Sequence, residues 1–278
     1  MLCVVNSREA AQRVFALLPE AGSFHLSTLM FPAQRQALLH EIRGRLTRGE
    51  SCRVVSTSLI EAGVDVDFPA VYRELAGLDS VLQAAGRCNR EGKRAAGESV
   101  VTIFERTKLP PLLFRAAVGA AREALSGGCD PGAPETMQHY FRSLRSFSGD
   151  ALDKQGVIRA FEQGIEGCAL PFRTVAERFR FLESAAFTVY VPYGEEGEAL
   201  AAQLQAGACS KELYRRLGRY AVSVYDGHFQ ALYAAGALLT ARELPALDDR
   251  SAVLSDLSLY SEKMGLLLEP ETGKAEFV

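Results

Sequence analysis

The segment that decides the fold is CRVVSTSLIEAGVDVDFPAVYRELAGLDSVLQAAGRCNR, residues 52–90. It contains two short runs rich in apolar and β-branched residues, 52–57 and 70–74, and a helical pattern over 78–85. We predict a buried strand for each run and a short helix for the third element. Apolar strands that alternate with helices predict a mostly parallel sheet covered by helices on both faces.

The same alternation extends outward from this segment toward both termini. Further strands are predicted at residues 2–6, 25–30 and 99–104, and helices at 8–18 and 32–46. After residue 105 the pattern changes: two helices, 112–125 and 134–147, are separated by a loop rich in glycine and proline.

The last part of the chain has the pattern of a smaller α+β region. Strands are predicted at 187–191 and 220–225, and helices at 153–163, 174–181, 196–205 and 209–217. The predicted organisation is therefore α/β, with three parts: a lobe at 1–107, a helical linker at 108–148 and an accessory domain at 149–278.

The bulk composition is that of an ordinary globular chain. Hydrophobic residues make up 48% and charged residues 23% of 278 residues, and the formal net charge is −3. This charge argues against coating of nucleic acid by bulk electrostatics, although a local basic strip is compatible with it. No apolar stretch approaches the roughly 20 residues of a membrane span, and no signal peptide is visible. We expect a cytoplasmic protein without a membrane partner.

The cysteines and histidines do not form a metal-binding pattern. Six cysteines are scattered without any Cys-x-x-Cys pair, and none of the four histidines is followed directly by aspartate. This pattern is typical of reduced thiols rather than of a disulfide framework or a zinc site. We expect no metal ligands and no His-Asp nuclease centre in these residues.

Hydroxyl groups cluster where the predicted strand 52–57 ends. Ligands of a parallel sheet sit beyond the carboxyl ends of its strands, so we expect Ser56, Thr57 and Ser58 to face that crevice. Hydroxyl and backbone N–H groups at such a place suit phosphate oxygens. Gly63 permits a tight turn, and the carboxylate of Asp65 suits a ribose hydroxyl. Taken singly, the hydroxyls also fit a helix cap, and the carboxylate fits a turn.

A basic segment, QAAGRCNR, follows at residues 83–90. Arg87 and Arg90 are three positions apart and share one face if the segment is helical. Lys93 and Arg94 continue the basic character, so residues 83–94 carry four positive charges against Glu91 alone. Such a pair of arginines, taken alone, also fits a solvated helix face.

These segments resemble motifs of superfamily 2 helicases, in the expected order. VVNS at 4–7 is similar to motif IV, STSLIEAGVD at 56–65 to motif V, and QAAGRCNR to motif VI. The resemblance implies a second RecA-like lobe, in which Arg90 is the arginine finger directed at the γ-phosphate and Arg87 is its companion. Such a finger contributes roughly 10³ to 10⁵ in rate. The resemblance assigns four further residues to the nucleotide site: Gln83, Gly63, Asp65 and Gly86.

The sequence lacks the parts that hold a triphosphate. ATP hydrolysis needs a P-loop and an acidic magnesium motif. GRLTRG at 44–49 has the glycine spacing of a P-loop, but Glu50 stands where lysine is required, and no Asp-Glu dipeptide occurs. We expect ATP to be bound mainly by a first lobe that this chain lacks, with Mg²⁺ entering only through that lobe. The strand at 2–6 begins abruptly after Met1, which suggests an upstream portion that is lost or lies on another polypeptide.

A narrower resemblance is to the helicase–nuclease of type I CRISPR interference systems. HLSTLMFPAQR at 25–35, IEAGVDVDF at 60–68 and LPFRTVAERF at 170–179 are similar to segments of that family. Its members carry a nuclease domain, two RecA-like lobes and a C-terminal domain, and they act in antiviral defence. The resemblance implies several partners: single-stranded DNA, the first lobe and nuclease domain in cis or in trans, and an RNA-guided surveillance complex.

The same resemblance predicts which residues contact DNA. Candidates for contacting its backbone are Asn6, Ser7, Thr28, Arg35, Thr57 and Ser58. The accessory domain adds Arg173, Arg178 and Arg180. For that helix, the alternative is a solvated face with Phe172, Val175 and Phe179 as its core.

Two other functions compete with the translocase hypothesis. The first is a non-catalytic module that binds single-stranded DNA or the surveillance complex, which a salt-dependent DNA affinity without ATPase rescue would favour. The second is a small-molecule enzyme on a doubly wound sheet. It lacks support, because no Gly-x-Gly-x-x-Gly follows a strand.

Overall fold

The first part of the chain forms a parallel sheet of five short strands. The computed structural model describes residues 1–61, 63–149, 153, 155–179 and 186–267. The strands are β1 (Leu2–Val4), β2 (Ser23–Leu26), β3 (Arg53–Ser56), β4 (Ala70–Glu74) and β5 (Val100–Phe104). They lie in the order β2-β3-β1-β4-β5, and every pair is parallel. The predicted parallel sheet is confirmed.

Helices cover both faces of this sheet because the strand side chains alternate between two cores. The helices are α1 (Arg8–Ala16), α2 (Pro32–Thr47) and α3 (Leu78–Ala85). Leu2, Val4 and Val54 pack with Ile42 of α2 on one face, whereas Cys3, Val5 and Val55 pack with Ala10 and Ala11 of α1 on the other.

The described residues between β3 and β4 form no α-helix. A 3₁₀ turn, Ser58–Ile60, follows β3. Val64, Val66 and Phe68 of the next segment are buried, and the two aspartates between them are more exposed. This alternation is that of an extended segment. The segment therefore returns from the carboxyl end of β3 to the amino end of β4.

A helical region follows the sheet. It comprises α4 (Leu112–Ala124), α5 (Pro134–Ser148), α6 (Val157–Glu166) and α7 (Phe172–Arg178). In α7 the expectation that Phe172 and Phe179 form a core is wrong, since the two residues are 65% and 58% exposed. Arg173 and Arg178 are exposed as well, and Arg180 lies outside the described residues.

A second, smaller sheet lies near the end of the described chain. Its strands are β6 (Phe187–Tyr190), β7 (Ala221–Val224), β8 (Leu238–Leu239) and β9 (Ser251–Leu254), in the order β7-β6-β9-β8. Only the β6–β9 pair is parallel among these described strands. The remaining elements are α8 (Gly194–Gln205), α9 (Lys211–Leu217), α10 (Asp226–Ala234) and a hairpin of β10 (Tyr260–Ser261) and β11 (Gly265–Leu266).

The loop between β2 and α2 packs into the core beneath the second sheet. Leu29 and Phe31 belong to the same hydrophobic cluster as Val189 and Val253. The backbone N–H of Phe31 donates to the Tyr260 hydroxyl (3.2 Å), and the two rings stack at 5.3 Å. The strand predicted at 25–30 therefore ends at Leu26, because the residues after it turn into this core.

The chain falls into two compact units by its internal contacts. One unit comprises Met1–Glu74, Gln83–Arg106 and Ala185–Val278, and the other comprises Leu75–Leu82 and Thr107–Ser184. The three-part division predicted from the sequence stays a prediction. Within the described part of the chain, no helix has the length and apolar character needed to cross a membrane.

Candidate functional site

The first group of predicted site residues lies at the carboxyl ends of three neighbouring strands. Asn6 and Ser7 follow β1, Thr28 follows β2, and Thr57 and Ser58 follow β3. Because β2, β3 and β1 are adjacent in the sheet, these five residues lie along one edge. We call them the carboxyl-edge row.

The hydroxyls of this row are not equivalent. The Ser7 hydroxyl accepts the backbone N–H of Ala10 (3.1 Å) and caps α1. Thr57 precedes the 3₁₀ turn without a side-chain capping bond, and Ser58 is exposed. The side chains of Thr57 and Ser58 are thus the better placed to meet a ligand.

Asn6 is held in place by the end of β4. Its backbone N–H donates to Oε2 of Glu74 (2.8 Å), and its side-chain Oδ1 accepts a hydrogen bond from Nη1 of Arg73 (2.7 Å). Arg35, the remaining predicted DNA residue, lies in the first part of α2 and is half-buried. Burial lowers the pKa of Arg35, and the nearby Tyr260 opposes that shift.

The second group of predicted residues lies at the opposite, amino end of the sheet. Phe68 precedes β4 by two positions and pairs with the segment after α3: its N–H donates to the Arg87 carbonyl (2.8 Å), and its carbonyl accepts the Asn89 N–H (2.9 Å). Residues 86–90 are therefore at the amino end. Arg87 and Arg90 therefore do not share the crevice at the carboxyl ends with Thr57 and Ser58.

Arg90 and Asp65 meet directly at this end. Nε of Arg90 lies 3.1 Å from Oδ1 of Asp65, and both side chains are exposed to solvent. The backbone N–H of Arg90 donates to Asp67 (2.8 Å), which also pairs with Arg94 (3.1 Å). Nε of Arg43 donates to the Asp65 carbonyl (3.0 Å). Two residues assigned separately to the nucleotide site, a finger and a ribose acceptor, are thus neighbours.

Arg87 does not share a face with Arg90. Helix α3 ends at Ala85, and Asn89 has a positive φ of 49°, so residues 86–90 do not continue the helix. Arg87 is only 8% exposed, and its Nη2 donates to the backbone carbonyl of Glu61. The expectation that both arginines project together is therefore wrong for Arg87, whose side chain is held inside the lobe.

The remaining predicted residues border this region. Gln83 lies exposed near the end of α3, and Gly86 is exposed in the turn after it. Gly63 has a φ of +70°, a backbone conformation that glycine adopts at little cost. It therefore supplies the turn expected after the 3₁₀ turn.

An open depression of about 490 Å³ adjoins Asp65 at the amino end. Its charged lining balances three cations against three carboxylates: Arg43, Lys93, Arg94, Asp65, Asp67 and Glu91. By itself this lining creates no net positive field for a triphosphate. Among the residues that the structure describes, no cluster of histidine, cysteine and carboxylate side chains is arranged to hold a metal ion.

Sequence reasoning missed the buried charges that lie between the two ends. Arg73 and Glu74 close strand β4, and their side chains bond Asn6. Arg73 also pairs with Glu61 at 3.0 Å. The available signal was the pattern of 70–74, in which two charged residues end an apolar strand. The five-stranded parallel sheet with helices on both faces has the architecture of a RecA-like α/β lobe, and a second, smaller sheet follows it in the chain.

Comparison with known proteins finds similarity to one family over the first third of the chain. Residues 1–93 match the family described as CRISPR-associated nuclease/helicase Cas3, C-terminal. The CRISPR-associated nuclease/helicase Cas3 of Haloferax volcanii is 51% identical over 86 residues, which are 27% of this chain and 9% of that protein. Cas3 of Methanothermobacter thermautotrophicus is 24% identical over 175 residues, 61% of this chain and 19% of that protein.

Solved structures agree on the fold. T. fusca Cas3, solved with ATP, superposes with a TM-score of 0.54 at 17% identity, over 91% of this chain and 35% of that one. The same protein solved with ADP gives 0.53 at 18% identity. Residues 1–93 are thus similar to the C-terminal family of Cas3, and the fold of the chain is similar to that of T. fusca Cas3. It spans less than a quarter of the length of the curated relatives that it matches.

Proposed function

We propose that this chain is the second lobe and accessory domain of an ATP-dependent single-stranded-DNA translocase of superfamily 2. The observation that carries the proposal is the separation of the two predicted groups. Arg90 and Asp65 lie together at the amino end of the sheet, whereas the carboxyl-edge row lies at the other end. A motor lobe needs two such surfaces, one for the nucleotide and one for the strand along which it moves.

Arg90 is held by a contact weak enough for a side chain that acts as an arginine finger. Its ion pair with Asp65 is exposed to solvent, and exposed pairs contribute only about 0 to 1 kcal/mol. The guanidinium can therefore leave Asp65 for a phosphate at little cost. Once released, the Asp65 carboxylate can accept a ribose hydroxyl. Arg87, which is held by Glu61, supports the position of the segment instead.

The triphosphate and Mg²⁺ are supplied by a first lobe, because residues 44–50 lack the P-loop lysine. The balanced charges of the depression beside Asp65 also support binding of the triphosphate mainly by the first lobe. We propose that the partners are this first lobe, a nuclease domain, single-stranded DNA and an RNA-guided surveillance complex, and that the assembly acts in CRISPR antiviral defence in the cytoplasm.

The test is DNA-stimulated ATP hydrolysis by this chain together with its matching first lobe. We expect no hydrolysis by the chain alone and hydrolysis on mixing. Arg90→Ala should lower the mixed rate on the order of 10³-fold, since one transition-state cation is lost. The matched control is Lys93→Ala, because Lys93 is an exposed neighbouring cation paired with Glu91, and it should change the rate by less than about threefold.

Two outcomes would refute parts of this proposal. Unchanged hydrolysis in Arg90→Ala would remove the finger assignment. Salt-dependent DNA binding without any hydrolysis on mixing would favour the non-catalytic binding module instead.

A further inference from the structure

A chain of buried polar contacts runs from the carboxyl-edge row toward the segment that carries Arg90. Arg73 stands at its centre and is 1% exposed. Nη1 of Arg73 donates to Oδ1 of Asn6 (2.7 Å) and to the Glu74 carbonyl (2.7 Å), while Nε lies 3.0 Å from Oε1 of Glu61. A single guanidinium thus joins the end of β4 to two other segments of the lobe.

The contacts continue from Glu61 to the basic segment. Glu61 follows the 3₁₀ turn that begins at Ser58, and its backbone carbonyl accepts Nη2 of Arg87. Arg87 is three residues from Arg90, and the backbone of both residues belongs to the short segment that follows α3. A displacement of Asn6 or Ser58 therefore has a direct route of bonded groups to the segment that carries the finger.

Stability alone does not account for this arrangement. The side chains of Arg73 and Glu61 are 2% and 4% exposed, and removing both charges from water costs more than most ion pairs return. An apolar pair of similar volume would be at least as stable. What the ion pair adds is geometry, because the planar guanidinium fork fixes its partners in defined directions.

We propose that Arg73 is a positioning residue that couples DNA at the carboxyl-edge row to the nucleotide end of the lobe. This inference rests on the proposed translocase function and assigns to Arg73, Glu61 and Arg87 the regulation of that activity by DNA. Binding of the DNA strand at Asn6 and Ser58 shifts Glu61 through Arg73. Glu61 in turn sets the position of Arg87 and hence of Arg90.

The test compares basal and DNA-stimulated hydrolysis by the full chain with its matching first lobe. Arg73→Lys keeps the buried positive charge, but a single ammonium cannot reproduce the directions of the guanidinium fork. We expect basal hydrolysis and DNA affinity, measured by fluorescence anisotropy, to stay within about twofold, and DNA stimulation to fall about tenfold. The matched control is Arg106→Lys, because Arg106 bonds Oε1 of Glu74 (2.8 Å) but lies off this route.

A second variant protects the test against misfolding. In Arg73→Met combined with Glu61→Leu, the buried ion pair is replaced by apolar side chains, a change that folded proteins tolerate. The Glu61 carbonyl that binds Arg87 remains, but its link to Asn6 is gone, and we expect the same tenfold loss of stimulation.

The outcomes separate this inference from the function on which it rests. Wild-type stimulation in both variants, or a parallel fall of basal and stimulated rates, would overturn the coupling role of Arg73 while leaving the translocase intact. A wild-type mixture without DNA-stimulated hydrolysis would overturn the proposed function itself.

Discussion

Replacing His25 with leucine tests the cost of a polar ring inside the first lobe. His25 lies in β2 and is 1% exposed, against Phe15 at a centroid distance of 5.9 Å. Neither ring nitrogen has a hydrogen-bond partner among the described residues. Burial lowers the pKa of His25 to about 4. The ring is therefore neutral in the folded protein at pH 5, whereas an exposed histidine in the unfolded chain is largely protonated there.

The sign and size of the pH effect follow from this difference. Between the folded pKa of about 4 and the unfolded value of about 6.5, the unfolded chain binds more protons, so stability falls as the pH is lowered. From pH 7.5 to pH 5 this one group removes about 2 kcal/mol from the free energy of unfolding. Leucine also removes the penalty of unsatisfied buried nitrogens, about 1 to 3 kcal/mol.

The assay is urea unfolding followed by circular dichroism at pH 7.5 and pH 5. His25→Leu should raise the free energy of unfolding by about 1 to 3 kcal/mol at pH 7.5 and by about 2 kcal/mol more at pH 5. The control is His40→Gln, because His40 is exposed on α2, and it should leave the pH dependence unchanged. A His25→Leu protein that loses as much stability on acidification as the wild type would refute the reasoning.

Two further predictions concern the close approach of Gly265 to Leu29 and the buried thiol of Cys3. Gly265 has a φ of +73°, and an added Cβ would collide with the Leu29 carbonyl oxygen, so Gly265→Ala should lower the free energy of unfolding by about 3 kcal/mol. The control is Gly207→Ala, because Gly207 has a φ of +82° but no atom near the added Cβ, and it should lower the free energy of unfolding by only about 1 kcal/mol. Equal losses for the two variants in urea unfolding would contradict the close approach at Gly265. Burial raises the pKa of the Cys3 thiol to about 11, so iodoacetamide at pH 8 should label exposed Cys129 and spare Cys3 in the native protein; mass spectrometry showing equal labelling would contradict the burial.

The sequence predicts most elements of the first lobe because hydrophobic periodicity reports burial directly. Strand β4 and helix α3 begin and end at the predicted residues, 70–74 and 78–85. The errors arise where tertiary contacts decide where an element ends. The strand at 25–30 is shortened because Leu29 and Phe31 enter the core of the second sheet. The two-residue strands β8, β10 and β11 are too brief to produce a periodic signal.

The sequence named candidate site residues but not their geometry, and the roles of these residues stay predictions. The motif spacing identified Asp65 and Arg90, which the structure places in contact. It could not show that Arg87 is buried, because that depends on the pairing of Cys88 with Phe68. The contacts of Arg73 could not be predicted either, since its partners Asn6 and Glu61 are distant in sequence.

The most direct measurement is hydrogen–deuterium exchange of this chain with its matching first lobe, with each ligand added separately. A non-hydrolysable ATP analogue should slow exchange in residues 63–67 and 86–90, and single-stranded DNA should slow exchange in residues 5–8 and 57–60. The account holds that the lobe binds nucleotide at the amino end of its sheet and DNA at the carboxyl end. It would be contradicted if both ligands slowed exchange in the same segment, or if the nucleotide analogue slowed exchange at neither end.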